Sequence, residues 1–335
     1  MCPPPCDATF RRRKTAGADS VLSIVARRLR YFPDRPLVEV TARTVQGRFL
    51  LKPTAGLRET FVGILARAAA RYDVEVHAFI CLSNHFHLLC SPADAHELAA
   101  FMCFVDTNLS KEAGKLHRWR GPLLQRRYQA ILVSDEELAQ IGRLRYLLSH
   151  GVKESLVTKV TDWPGAHCAA ALLVGEPAVG VWVDRTHQHA ARHRGEDAPD
   201  ADFATTYCLE LAPLPCWRHL PPETLRRRVA DLVAEIEAEA AARHRREGTS
   251  PLGVAGVQRQ DPHDRPGRSN HSPAPFIHAA CRQTRQEWRA IYSEIVAAFR
   301  TAAEKLLTTQ RNSKETAALI KKVRSDAKFK LAGIG

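Results

Sequence analysis

Apolar positions along this chain fall first into short runs and then into spaced stripes, and the order of the two patterns lays out a domain. Leu37-Val38-Glu39-Val40-Thr41-Ala42-Arg43-Thr44 reads as a strand, closed by the turn Gln46-Gly47 and followed by a second apolar run, Phe49-Leu50-Leu51. Leu57, Phe61, Ile64, Leu65 and Ala68 recur at helical spacing and predict a helix over 57–71. Two strands, 74–82 and 85–91, are joined by the polar turn Ser83-Asn84 and read as a hairpin. Asp94 or a neighbour opens a helix running to about 117, and Tyr128-Gln129-Ala130-Ile131-Leu132-Val133 reads as a strand. Ser134-Asp135-Glu136-Glu137 has a capping serine with a glutamate three residues on, so a further helix is expected to about 150. The order β-α-β-β-α-β-α contains the βαββαβ unit of a ferredoxin-like split sheet. The expected fold class is α+β: an antiparallel sheet with helices on one face over 34–173, with the last helix an addition that lies against the sheet.

Beyond that domain the pattern is looser. Residues 1–33 read as a basic, proline-bearing arm with a short helical stretch over 21–29. Residues 174–220 are polar and rich in Gly, Asp and Arg, which suggests a linker or insertion. Pro221-Pro222-Glu223-Thr224 opens an amphipathic helix with Leu225, Val229, Leu232, Val233 and Ile236 on one face, and Gly248 stops it. A basic Gly/Pro loop over 248–275 offers Arg259, His263, Arg265 and Arg268 for phosphate contact. A second long helix, about 279–307, sets Trp288, Ile291, Tyr292, Ile295 and Phe299 on one stripe, and 309–335 is a basic tail. The region 221–308 is thus a mostly α-helical extension that binds DNA, mediates dimerisation or packs on the first domain.

Composition narrows the partners. A chain of 335 residues accommodates two domains, or one with long appendages. Its net charge of +13 is concentrated in clusters such as Arg11-Arg12-Arg13-Lys14, Arg126-Arg127 and Arg226-Arg227-Arg228. That balance favours a polyanion, nucleic acid ahead of a membrane, although arginine also replaces lysine on solvated faces. The nine cysteines are scattered without a C-x-x-C pair, which indicates neither a disulfide framework nor a thiolate zinc site. No run reaches the length of a membrane span and the start lacks the order of a signal peptide, so a cytoplasmic protein is expected.

The candidate chemistry sits in Cys81-Leu82-Ser83-Asn84-His85-Phe86-His87-Leu88-Leu89-Cys90. On a strand, His85 and His87 share a face and Phe86 points to the other, so the two imidazoles can chelate a metal. Two half-buried polar residues on a sheet face give the same pattern. Tyr146 and His150, four apart on a later helix, also face one way. Packed on the sheet, that helix would bring a phenol and a third imidazole over the pair. Taken singly, Tyr146 reads equally as a core aromatic and His150 as a helix C-terminal cap. Together the four residues suit attack of a tyrosine hydroxyl on a DNA phosphodiester, with a divalent ion polarising the phosphate. A second H-x-H, His187-Gln188-His189 with His193, has no nucleophile patterned nearby and reads as an exposed polar segment.

Four stretches, Leu82 to Leu89, Gln125 to Val133, Arg145 to Leu148 with Val152 to Val157, and Asp162-Trp163-Pro164, resemble the single-tyrosine HUH transposases, and within them the REP-associated tyrosine transposases. The resemblance covers about 37–173. It implies His85 and His87 as metal ligands, Tyr146 as nucleophile, and a third ligand four residues on, which is His150 here. It also implies Mg2+ or Mn2+ as cofactor and a single-stranded, hairpin or palindromic DNA substrate, acted on by a monomer or homodimer. Members often carry Asn-Pro where this chain has His150-Gly151, a proline at Ser83 and a glycine at Arg126. Arg126, Arg127, Arg143 and Lys153 are candidate phosphate contacts, and Trp119 and Tyr128 candidate stacking platforms for bases. The competing expectation is a domesticated protein that binds hairpins without cutting them. An RNA-binding sheet is disfavoured by its sparse aromatic platform.

Overall fold

The computed structural model describes residues 35–267 and 276–308. The expected arm, its helical stretch, the tail and Arg268 lie outside these. The chain divides into two units, Phe32–Arg289 and a second comprising 1–31 with 290–335.

In chain order the elements are β1 (Leu37–Arg43), α1 (Ala55–Ala69), β2 (Val74–Cys81), β3 (His85–Pro92), α2 (Ala95–Leu116), β4 (Gln129–Val133) and α3 (Glu137–Lys153). There follow α4 (Ala169–Val174), β5 (Ala178–Val183), α5 (Arg185–His193), β6 (Ala204–Leu209), α6 (Pro222–Glu247), α7 (Val254–Arg259), β7 (Ile277–His278) and α8 (Arg282–Thr308). The main sheet runs β2-β3-β1-β4-β7, antiparallel through β4 and with β7 added parallel at the edge. The expected strands and helices of 37–150 are all present. The apolar run Phe49-Leu50-Leu51 forms a turn, with both leucines buried and the Leu51 amide donating to the Ser83 carbonyl at 2.8 Å.

The alternation of β3 assigns its two faces. Phe86 meets Phe61 of α1 at a centroid separation of 5.6 Å, whereas His87 meets His150 of α3 at 4.3 Å. The helices α1 and α2, which pack together, thus form the expected one-sided layer, and α3 covers the opposite face. Helix starts follow local chemistry: Thr54 Oγ1 accepts from the Leu57 amide, and Asp94 accepts from the amides of His96 and Glu97.

The capping box expected at Ser134 does not form. Ser134 Oγ donates to Glu136, whose carboxylate also accepts from the amides of Ala280 and Cys281 at the start of α8. With that carboxylate committed to another element, α3 begins at Glu137 without a side-chain cap, and it runs to Lys153 instead of stopping at His150.

Residues 174–220, expected as a linker or insertion, carry two strands and a helix. Strands β5 and β6 pair antiparallel and pack on α1. A Cβ placed on Gly63 would fall 2.2 Å from the Val181 backbone, and one on Gly180 2.1 Å from the Gly63 amide nitrogen. Helix and strand therefore touch backbone to backbone, a contact only glycine permits. His187, His189 and His193 are exposed on α5. Helix α6 starts at Pro222, ends at a left-handed Gly248 as expected, and buries Val229, Val233, Ile236 and Ala240 where it packs against α3 and α4.

Candidate metal and nucleophile site

The site is built on the turn of the β2–β3 hairpin, the middle of β1 and the last turns of α3. Register places Thr41 opposite His87 and Arg43 opposite His85, so Glu39, Thr41 and Arg43 share the histidine face. The turn is held from several sides. The Thr44 amide donates to the Asn84 carbonyl, Asn84 Nδ2 donates to the Gly47 carbonyl, and Ser83 Oγ donates to Gln260 just beyond α7. Below it, Trp163 of the Asp-Trp-Pro stretch is buried and donates to the Cys81 carbonyl at 2.9 Å.

His85, His87 and His150 converge, with one potential ligand atom from each lying within 4.8 Å of the others. All three rings are oriented through Nδ1. Its acceptor is the Asn84 side-chain oxygen for His85 at 2.6 Å, the Glu39 carboxylate for His87 at 2.8 Å, and the Tyr146 carbonyl for His150 at 2.9 Å. With Nδ1–H donated in each case, the Nε2 lone pair is left facing the shared space. This is the tautomer a metal-ligating histidine needs, and the hydrogen-bonded partner fixes the ring. Burial, followed by the neighbouring imidazoles, holds His85 and His150 well below the usual histidine pKa, so both are neutral at pH 7. Three imidazoles with their outer hydrogen bonds fit a divalent ion with open positions.

Tyr146 closes the site. Its ring centroid lies 4.4 Å from that of His150 and 5.6 Å from that of His87. Two cations cover the ring, Arg143 at 4.2 Å and Lys153 at 4.7 Å from its centroid. Burial first, and then the charge of Glu39, raise the phenol's pKa, with Arg143 opposing them by its charge and a hydrogen bond. Glu39 is fully buried, yet its pKa is lowered. Burial pushes it up, but the hydrogen bond and charge of His87 and the ion pair with Arg143 outweigh that.

Two of the proposed DNA contacts are corrected. Tyr128 is 6% exposed, its hydroxyl donating to the Leu98 carbonyl, so it is a core ring that no base can reach. Arg143 is committed to Glu39 and Tyr146 and is only 12% exposed, so it is held inside the site instead of on a strand-binding surface. Trp119 donates Nε1–H to the Pro122 carbonyl, with Arg48 and His263 against its ring, and is engaged within the chain. Arg126, Arg127 and Lys153 are exposed, Arg127 lying over the ring of Tyr128 and Lys153 beside Tyr146. Sequence reasoning passed over Glu39. Its signal was a lone carboxylate inside the apolar run Leu37-Val38-Glu39-Val40, two residues from Thr41 and therefore on the same face.

No protein-family model matches the chain, and no curated protein matches it. Solved structures do. A REP-associated tyrosine transposase bound to a REP hairpin aligns with a TM-score of 0.38 at 14% identity, over 45% of this chain and 86% of that one. A putative transposase from Deinococcus radiodurans R1 aligns with a TM-score of 0.27 at 18% identity, over 35% of this chain and 94% of that one. Among the described residues, no helix is long and apolar enough to cross a membrane.

Proposed function

We propose that the chain is a metal-dependent single-strand DNA endonuclease and strand transferase of the transposase type, with Tyr146 as nucleophile. The observation that carries this reading is the common orientation of His85, His87 and His150. Each donates from Nδ1, and Nε2 is left free beside a phenol. A bound divalent ion supplies Lewis-acid polarisation of the phosphate's non-bridging oxygens, and an all-imidazole set favours manganese over magnesium.

The chain's own residues do the rest. Tyr146 Oη attacks the phosphorus, the bond to the 3′ oxygen breaks, and the products are a 5′-phosphotyrosine and a strand ending in a 3′-hydroxyl that takes up a proton. The phenol's raised pKa means that its proton must leave during attack, to water or a nearby acceptor. Arg143 orients the hydroxyl, and together with Lys153 it places positive charge where phenolate character develops. Because the ester conserves the energy of the phosphodiester, a 3′-hydroxyl attacking it reverses the reaction and rejoins strands. The hairpin form of the substrate follows from the sequence resemblance.

The test is incubation of the full chain with manganese and a labelled single-stranded hairpin. A denaturation-resistant protein–DNA adduct, absent in Tyr146→Phe, is expected. Tight binding to hairpins without any adduct would establish the non-cleaving binder instead.

A further inference from the structure

Helix α6 does more than cover α3. Gly142, Tyr146, Ser149 and Lys153 recur along one face of α3, and Ile236, Ala240 and Arg243 face them from α6, enclosing a cleft of about 370 Å³. That volume lies in the range, roughly 300–1,000 Å³, of sites that enclose a small molecule, and it suffices for one nucleotide. Ile236 and Ala240 are buried and give the cleft an apolar floor against which a base can lie. Its mouth is charged: Arg145 of α3 and Glu239 of α6 pair across it at 2.5 Å, with exposures of 33% and 68%. At such exposure the pair is weak and exchangeable.

Arg243 donates to the carbonyls of Val152 and Lys153 and to Ser155 Oγ. It thereby offsets the negative C-terminal end of α3 that would otherwise repel an anion. Tyr146 lines this cleft and also abuts His87 and His150, so whatever occupies the cleft reaches the nucleophile.

We infer that the α3–α6 cleft holds a nucleotide of the DNA strand next to the reacting phosphate, with Arg145 leaving Glu239 to take the strand's phosphate. The inference rests on the single-strand nuclease reading and assigns the C-terminal extension a part in it. Glu239 then acts as a placeholder for the phosphate, which competes for the same guanidinium.

The test measures binding by the full chain in a chelator, where no cleavage occurs, so that its outcome is independent of whether Tyr146 forms an adduct. The probes are a labelled DNA hairpin with single-stranded flanks of about eight nucleotides and the same hairpin without flanks. Arg145→Ala is expected to weaken the flanked probe roughly five-fold and to flatten its salt dependence by about one ion. Glu239→Ala, which frees Arg145, is expected to tighten it two- to three-fold on the order of a lost competitor, and the bare hairpin is expected to bind alike in all three proteins. If Glu239→Ala weakens the flanked probe as Arg145→Ala does, the pair is a brace between helices and the inference is wrong. It is equally overturned if neither variant alters the difference between the two probes.

Discussion

Glu39 on β1 accepts the Nδ1 proton of His87 across the strand pair at 2.8 Å, and it does so from a fully buried position. The same carboxylate pairs with Arg143, which lies over Tyr146, so one residue ties His87 to the proposed nucleophile. Replacing it with glutamine keeps an acceptor for His87 but removes the charge that anchors Arg143. Glu39→Gln is therefore expected to lower manganese affinity by about ten-fold or more, the usual loss on altering an outer-shell partner. Titration calorimetry on the full chain measures it, and an unchanged affinity would remove Glu39 from the site's design.

Acid should destabilise the fold before its carboxylates titrate. His77 donates from Nδ1 to the Ala212 carbonyl and accepts at Nε2 from Ser91 Oγ, and burial lowers its pKa to about 4, as it does for His167. In the unfolded chain each binds a proton near pH 6.5, whereas in the fold each refuses it until about 4. The unfolded state therefore binds more protons throughout that window. Stability is full above about pH 6.5 and falls as pH drops toward 4, by about 3 kcal/mol for each histidine at most. Melting temperatures followed from about pH 7.5 down to 4.5 should decline steadily, and less steeply in His77→Gln. A flat profile in the parent protein would contradict the buried, neutral assignment.

The glycine contact between α1 and β5 is expected to admit no substitution. Gly180→Ala sets a methyl 2.1 Å from a backbone nitrogen that cannot move without α1. A loss of about 2–3 kcal/mol by urea unfolding is expected. Gly56→Ala, whose Cβ meets nothing within 4 Å, serves as the control and should change little.

Sequence periodicity carried the domain 37–150 because both of its periods are local. His85 and His87 share a face through the strand period, and Tyr146 and His150 through the helical one. What it did not carry depends on partners distant in the chain. Glu39 acquires its role only from the cross-strand register with β3 and from α3. Ser134 looked like a cap until Glu136 met the start of α8, and Tyr128 looked accessible until α2 covered it. The strands β5 and β6 are short runs inside a polar stretch, and the facing glycines Gly63 and Gly180 let them dock closely on α1. The α6 helix was legible, but the cleft it forms with α3 was not, since facing stripes become a site only once two helices are set side by side.

The most direct measurement is peptide mass mapping of the protein after reaction with manganese and a single-stranded hairpin substrate. A nucleotide adduct is expected on the peptide containing Tyr146, attached through a 5′ phosphate, absent in chelator and absent when His87 is replaced by alanine. An adduct on a different residue, or one formed equally well in chelator, would contradict it.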